Sequence, residues 1–106
     1  MALIDDIRDR YEGRRKEIDV PEWGCVIHSK PFTIADAKRV SRWVEKGDLE
    51  GNAEIVVRKA ESEAGELMFH PSQRVELIRI ADASIVNRIA NEIVDSSPTV
   101  EEAEGN

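Results

Sequence analysis

At 106 residues the chain has room for one domain and one core, and its 41% hydrophobic content belongs to a folding sequence rather than a disordered one. Charged residues make up 35% and the net charge is −7, which argues against nucleic acid as a partner, because binding phosphate requires a clustered basic excess. The single cysteine, Cys25, excludes an intramolecular disulfide and fits a reducing compartment.

The acidity is uneven. Asp95, Glu101, Glu102 and Glu104 stand in the last twelve residues with no base, leaving 15 bases against 18 acids before them. The chain therefore reads as a mildly acidic domain over residues 1–94 followed by an acidic, disordered tail over 95–106. The one basic cluster, Arg8, Arg10, Arg14, Arg15 and Lys16, is diluted by Asp9 and Glu12. The opening stretch MALIDDIRDRY holds no long apolar run, so neither a signal peptide nor a membrane span is expected there, and a cytoplasmic location follows.

In chain order, Leu3, Ile4 and Ile7 have helical spacing and predict a short amphipathic helix ended by Gly13. A hairpin is expected over 15–30. Ile18 and Val20 alternate with Glu17 and Asp19, PEWG makes the turn, a second strand runs over 25–30, and Pro31 closes it. Thr33, with Asp36 three residues on, has the pattern of a capping box for a helix over about 34–46. Its apolar stripe would be Ala37, Val40 and Val44 with Trp43 alongside, and Gly47 would stop it.

Residues 53–64 carry Ala53, Val56, Val57, Ala60 and Ala64 on one helical face. The β-branched run Ile55-Val56-Val57 suits a strand, but the three-turn stripe favours helix. Pro71 suits the first position of a helix over 71–81, with Val75, Leu77, Ile78, Ile80 and Ala81 as its buried side. Asp82 would cap a last helix over 83–94, whose doublets Ile85-Val86, Ile89-Ala90 and Ile93-Val94 make a wide buried stripe. The fold class expected is a small α+β domain, an N-terminal hairpin packed with three to four helices.

Chemistry is sparse. Cys25 and His28 are spaced as half of a metal site, but His70 is the only other histidine and there is no second cysteine. Two residues three apart on a strand also face opposite ways. Cys25 reads as a small buried hydrophobe and His28 as a surface residue. The carboxylates have the spacing of exposed helix faces with basic partners, as in Glu54–Arg58, and the glycines are scattered singly rather than gathered in a phosphate loop. No enzyme, metal or cofactor is expected.

The residues that stand out are aromatic and near turns: Trp23, Phe32, Trp43 and Phe69. They either plug the core or, with Trp23 at a hairpin tip, present a surface to a partner protein. Trp23 is expected to be partly buried, organising the turn with an edge left over.

The order of these features resembles the tail assembly chaperones of long-tailed bacteriophages and prophages. The resemblance spans roughly residues 14–94 and is most specific at Val20-Pro21-Glu22-Trp23-Gly24 and at the approach from Gly65 to Phe69. The chain departs from it at His70-Pro71-Ser72, where a small hydroxyl cap followed by acids would be expected. The resemblance implies a non-catalytic protein that binds the tape-measure protein, keeps it soluble and promotes assembly of tail-tube subunits around it. It implies a host cytoplasmic location and absence from the finished virion. A small acidic adaptor of antitoxin type, and a structural tail or head–tail connector subunit, are the alternatives.

Overall fold

The computed structural model describes residues 2–95. Helix α1 (Leu3–Gly13) precedes an antiparallel hairpin, β1 (Lys16–Val20) and β2 (Cys25–Ser29). After it come α2 (Ile34–Lys46), α3 (Asp48–Lys59), α4 (Arg74–Ile80) and α5 (Ala83–Val94). This is the expected α+β class: a two-stranded sheet and five α-helices among the described residues. The final segment, 96–106, lies outside the described residues, so the expected acidic tail is described only at Asp95.

The hairpin follows the alternation. Ile18 pairs with Ile27 and Val20 with Cys25 on the core side, while Glu17 and Asp19 stay exposed. Pro21–Trp23 form one turn of 3-10 helix, closed by the Gly24 N–H on the Pro21 carbonyl at 3.1 Å. The turn is tied down from outside, because the Arg88 guanidinium of α5 donates to both Glu22 carboxylate oxygens, at 2.6 and 3.0 Å.

The Thr33 capping box is present in both directions. Asp36 N–H donates to Thr33 Oγ1 at 3.1 Å and Thr33 N–H to Asp36 Oδ2 at 2.9 Å. The stripe of α2, however, is rotated from the expected one. Asp36, Val40 and Trp43 face inward, whereas Ala37 and Val44 are exposed. The reason is electrostatic: Asp36 turns in to meet Lys59 Nζ at 2.8 Å, beneath the Pro31 carbonyl, which accepts from the same ammonium at 3.2 Å.

The third helix corrects the expected span of 53–64. It begins at Asp48, directly after the corner residue Gly47, and ends at Lys59. Gly47 has φ +145°, a backbone region that side-chain-bearing residues avoid, which lets α2 and α3 meet without a linker. Gly51 lies inside α3, where an added Cβ would sit 2.7 Å from Val44 Cγ2. The glycine lets the two helices approach closely at Val44. Ala64, assigned to the helical stripe, is exposed in the following loop.

Ala53, Ile55, Val56 and Val57 are all buried because α3 is the central helix, flanked by α2, α4 and α5. Ile89, Ala90 and Ile93 of α5 and Ile18, Val20 and Ile27 of the hairpin complete the core. At about 25 cal/mol per Å² of apolar surface removed from water, this shared cluster is the main source of stability.

The loop after α3 adds an edge to the sheet. His28 and Glu61 exchange backbone hydrogen bonds at 2.9 and 2.8 Å, and Glu61 bridges onward to Leu67. His28, expected on the surface, is therefore buried, with Glu17 4.0 Å from its Nδ1. Cys25, expected buried, is half-buried. Arg15 fastens the same loop by donating to the Ser62 and Glu63 carbonyls at 2.5 and 2.8 Å.

Residues 71–81 are not one helix. Pro71–Gln73 form a 3-10 turn and α4 follows for only two turns. His70 is the cap: its Nδ1 accepts from Ser72 N–H at 3.1 Å while Gln73 Oε1 accepts from His70 N–H at 2.8 Å. The imidazole does the work of the missing hydroxyl. The expected buried side of this segment is also corrected. Leu77 is buried and Ala81 half-buried, but Val75, Ile78 and Ile80 are exposed.

Candidate functional site

Of the four aromatic candidates, Trp23 and Phe69 are brought together. Trp23 is half-buried on the core and meets Phe69 edge-to-face, with ring centroids 6.4 Å apart and planes at 74°. Phe32 is likewise half-buried against the core. Trp43 lies under the Arg74 guanidinium, whose carbon is 3.6 Å from the ring centroid. The structure thus brings Trp23 and Phe69 together and uses Trp43 to seat a cation.

That cation belongs to a buried charge cluster which the exposed-face reading of Glu54–Arg58 missed. Glu54 is only 2% exposed and is bracketed by Arg58 and by Arg74 Nη1, the latter at 3.2 Å. Two guanidiniums repay the desolvation of one carboxylate and join α3 to α4. At Asp36, burial pushes the carboxyl pKa up, but hydrogen bonds from Lys59 and Thr33 outweigh it and hold the group below its ordinary value. The hydrogen bonds from Arg88 hold Glu22 down to about 2. Held low in this way, the Asp36 and Glu22 carboxyls are charged and hydrogen-bonded at neutral pH, which suits scaffolding rather than proton transfer.

Cys25 has the wrong environment for a nucleophile. Burial and the nearby Asp19 carboxylate push its thiol pKa up, away from the reactive thiolate. Cys25 and His28 belong to different strand pairs, Val20–Cys25 and Glu17–His28, on opposite faces of the hairpin. Among the described residues, no group of three or more His, Cys, Asp or Glu side chains is placed to hold a metal ion.

An apolar concavity lies where the first turns of α3 and α5 meet the last turn of α4. Leu49 of α3, Leu77 and Ile78 of α4, Ala81, and Ala83 and Val86 of α5 line an open cleft of about 80 Å³. Leu49 is 59% exposed at its edge, and Ile80, 74% exposed, ends α4, the helix of Leu77 and Ile78. None of Trp23, Phe32, Trp43 and Phe69 lines it.

Sequence reasoning missed this cleft, although a signal was present. Val75, Leu77, Ile78 and Ile80 cannot share one face of a two-turn helix, so some had to remain outside. Such a cleft can take an apolar side chain or a short helical ridge, and it holds no group that would act on what it binds.

Comparison with known proteins found no matching family model, no matching relative and no matching solved structure. Among the described residues no helix is long and apolar enough to cross a membrane.

Proposed function

We propose that this protein is a non-catalytic assembly chaperone of the phage-tail type, which holds apolar helical segments of a tape-measure protein in the α3–α4–α5 cleft and keeps them soluble for tail-tube assembly. The observation that carries this reading is the open apolar cleft of Leu49, Leu77, Ile78, Ala81, Ala83 and Val86, on a domain whose Asp36–Lys59 and Glu54–Arg74 pairs are tied into its own framework. The resemblance over 14–94 supplies the partner's identity.

The pocket is shallow, so one site is weak. Several copies along one long partner would act by avidity. In this reading the protein works in the host cytoplasm and leaves before the virion is complete. An acidic surface keeps loaded copies apart.

The test is co-expression with the longest helical open reading frame of the same cluster, scoring how much of that product is soluble and co-purifies. Rescue by the wild type, lost on Ile78→Glu with the melting temperature retained, supports the reading. An insoluble product that is not rescued, or rescue indifferent to Ile78→Glu, overturns it. Recovery of the protein from purified virions would instead mark a structural subunit.

A further inference from the structure

On a chain whose net charge is −7, α2 presents bases to solvent. Lys38, Arg39 and Arg42 are all exposed, and Glu45 is the one exposed acid of that helix. At 3.6 residues per turn the three bases fall within an arc of about 100°, clear of the inward-facing Asp36, Val40 and Trp43.

Elsewhere in the helices the cations are neutralised. Arg58, Lys59, Arg74 and Arg88 each hold a carboxylate in an ion pair. Among the described residues, Lys38, Arg39 and Arg42 hold none. Like charges three and four positions apart on a helix repel one another, so an anionic segment laid across this face would stabilise it.

The same chain carries such a segment. Residues 96–106 contain Glu101, Glu102 and Glu104 and no base. The point where they leave the fold is close to α2. Lys16 Nζ donates to the Asp95 carbonyl at 2.8 Å. Lys16 pairs with Ser29, the last residue of β2, and Thr33, the cap of α2, is four positions further on. Glu102 and Glu104 lie seven and nine residues past Asp95, a reach of about 23 to 30 Å when extended. From α5 across the central α3 to α2 is two helix spacings of about 8–10 Å each.

The other exposed bases near that exit are a poorer match. Arg8 and Arg10 share α1 with Asp5, Asp6, Asp9 and Glu12, and Arg8 is already paired with Asp5 at 2.9 Å.

We propose that the acidic segment Glu101–Glu104 folds back over the outer face of α2 and pairs its carboxylates with Lys38, Arg39 and Arg42 of the same chain. The contact does not rest on the chaperone reading. Exposed ion pairs are individually weak and screened by salt, so the contact depends on the high local concentration that a short connection gives. The segment is a built-in cover for α2, in place at low ionic strength and released at high.

Zero-length carbodiimide coupling of the full chain tests it. The reagent joins a lysine amine to a carboxylate only where the two touch, and peptide mass spectrometry reads the link. At about 50 mM salt the wild type should join Lys38 to Glu101, Glu102 or Glu104, and about 0.5 M salt should lower the yield at least about fivefold. Arg39→Glu combined with Arg42→Glu, both at exposed positions, should lower it as far with Lys38 intact and the melting curve unchanged. In a mixture of isotope-labelled and unlabelled chains, each linked pair of peptides should carry a single label.

Coupling of these glutamates to other lysines, or to none, overturns the inference. A Lys38 link that survives the double charge reversal or high salt overturns it as well, because it would report chance encounter. Mixed-label pairs overturn it in favour of a contact between copies.

Discussion

Helices α4 and α5 are equally apolar by composition, four residues of seven and seven of twelve, yet they behave differently. α5 buries Val86, Ile89, Ala90 and Ile93; α4 buries Leu77 alone. In α5 the apolar residues recur as doublets four apart, so one stripe carries Val86, Ile89, Ala90 and Ile93 against α3 and the hairpin. In α4 they are spread around two turns, and α3 can cover only one side. Apolar content sets how much surface wants to leave water, whereas periodicity decides whether one neighbour can remove it. The surplus on α4 is what makes the cleft.

The sharpest way to break this comparison is truncation on each helix. Ile89→Ala should cost about 3–4 kcal/mol through lost transfer energy and a cavity, and Ile80→Ala should stay within about 0.5 kcal/mol. Urea unfolding measures both, and equal costs would mean that α4 packs as α5 does. Glu54→Ala should come next, at about 3 kcal/mol, since it strands Arg74 and Arg58 where one carboxylate had joined α4 to α3. An ineffective Glu54→Ala would show that Arg74 finds water instead.

Gly51→Ala should destabilise by about 1–2 kcal/mol. The helix-propensity gain of alanine, about 1 kcal/mol, is exceeded by the clash with Val44. A gain in melting temperature would mean that α2 and α3 can separate at no cost.

The smallest effect is the acid limb. Asp36 has a depressed pKa when folded, so its contribution is complete above the ordinary value of 3.8 and is lost as pH falls through the lower folded value. Melting temperatures below about pH 4 should fall more steeply for the wild type than for Asp36→Asn. Parallel curves would remove the Asp36–Lys59 pair from the account.

Much of the fold was legible because the signals are local. The Thr33–Asp36 box, the alternation of Ile18 and Val20, the Pro21–Gly24 turn and the doublets of α5 all act within a few residues. The failures were of another kind. Gly51, just before the expected helix of 53–64, is a contact between helices, Glu54 looks like half of a surface pair but is sealed by Arg74, and His28 looks exposed until Glu61 pairs beside it. The aromatic residues stand out as unusual positions, but their neighbours do not: Phe69 and Trp23, in contact, are 46 positions apart.

By itself the sequence determined the class of the fold, the hairpin and the caps, because backbone preference and hydrogen bonding over three or four residues suffice for these. Tertiary structure decided which apolar residues remain outside. That choice belongs to no single helix. It depends on α3 filling the centre, on Gly47 and Gly51 bringing α2 against it, and on α4 being too short to hide all of its own apolar side chains.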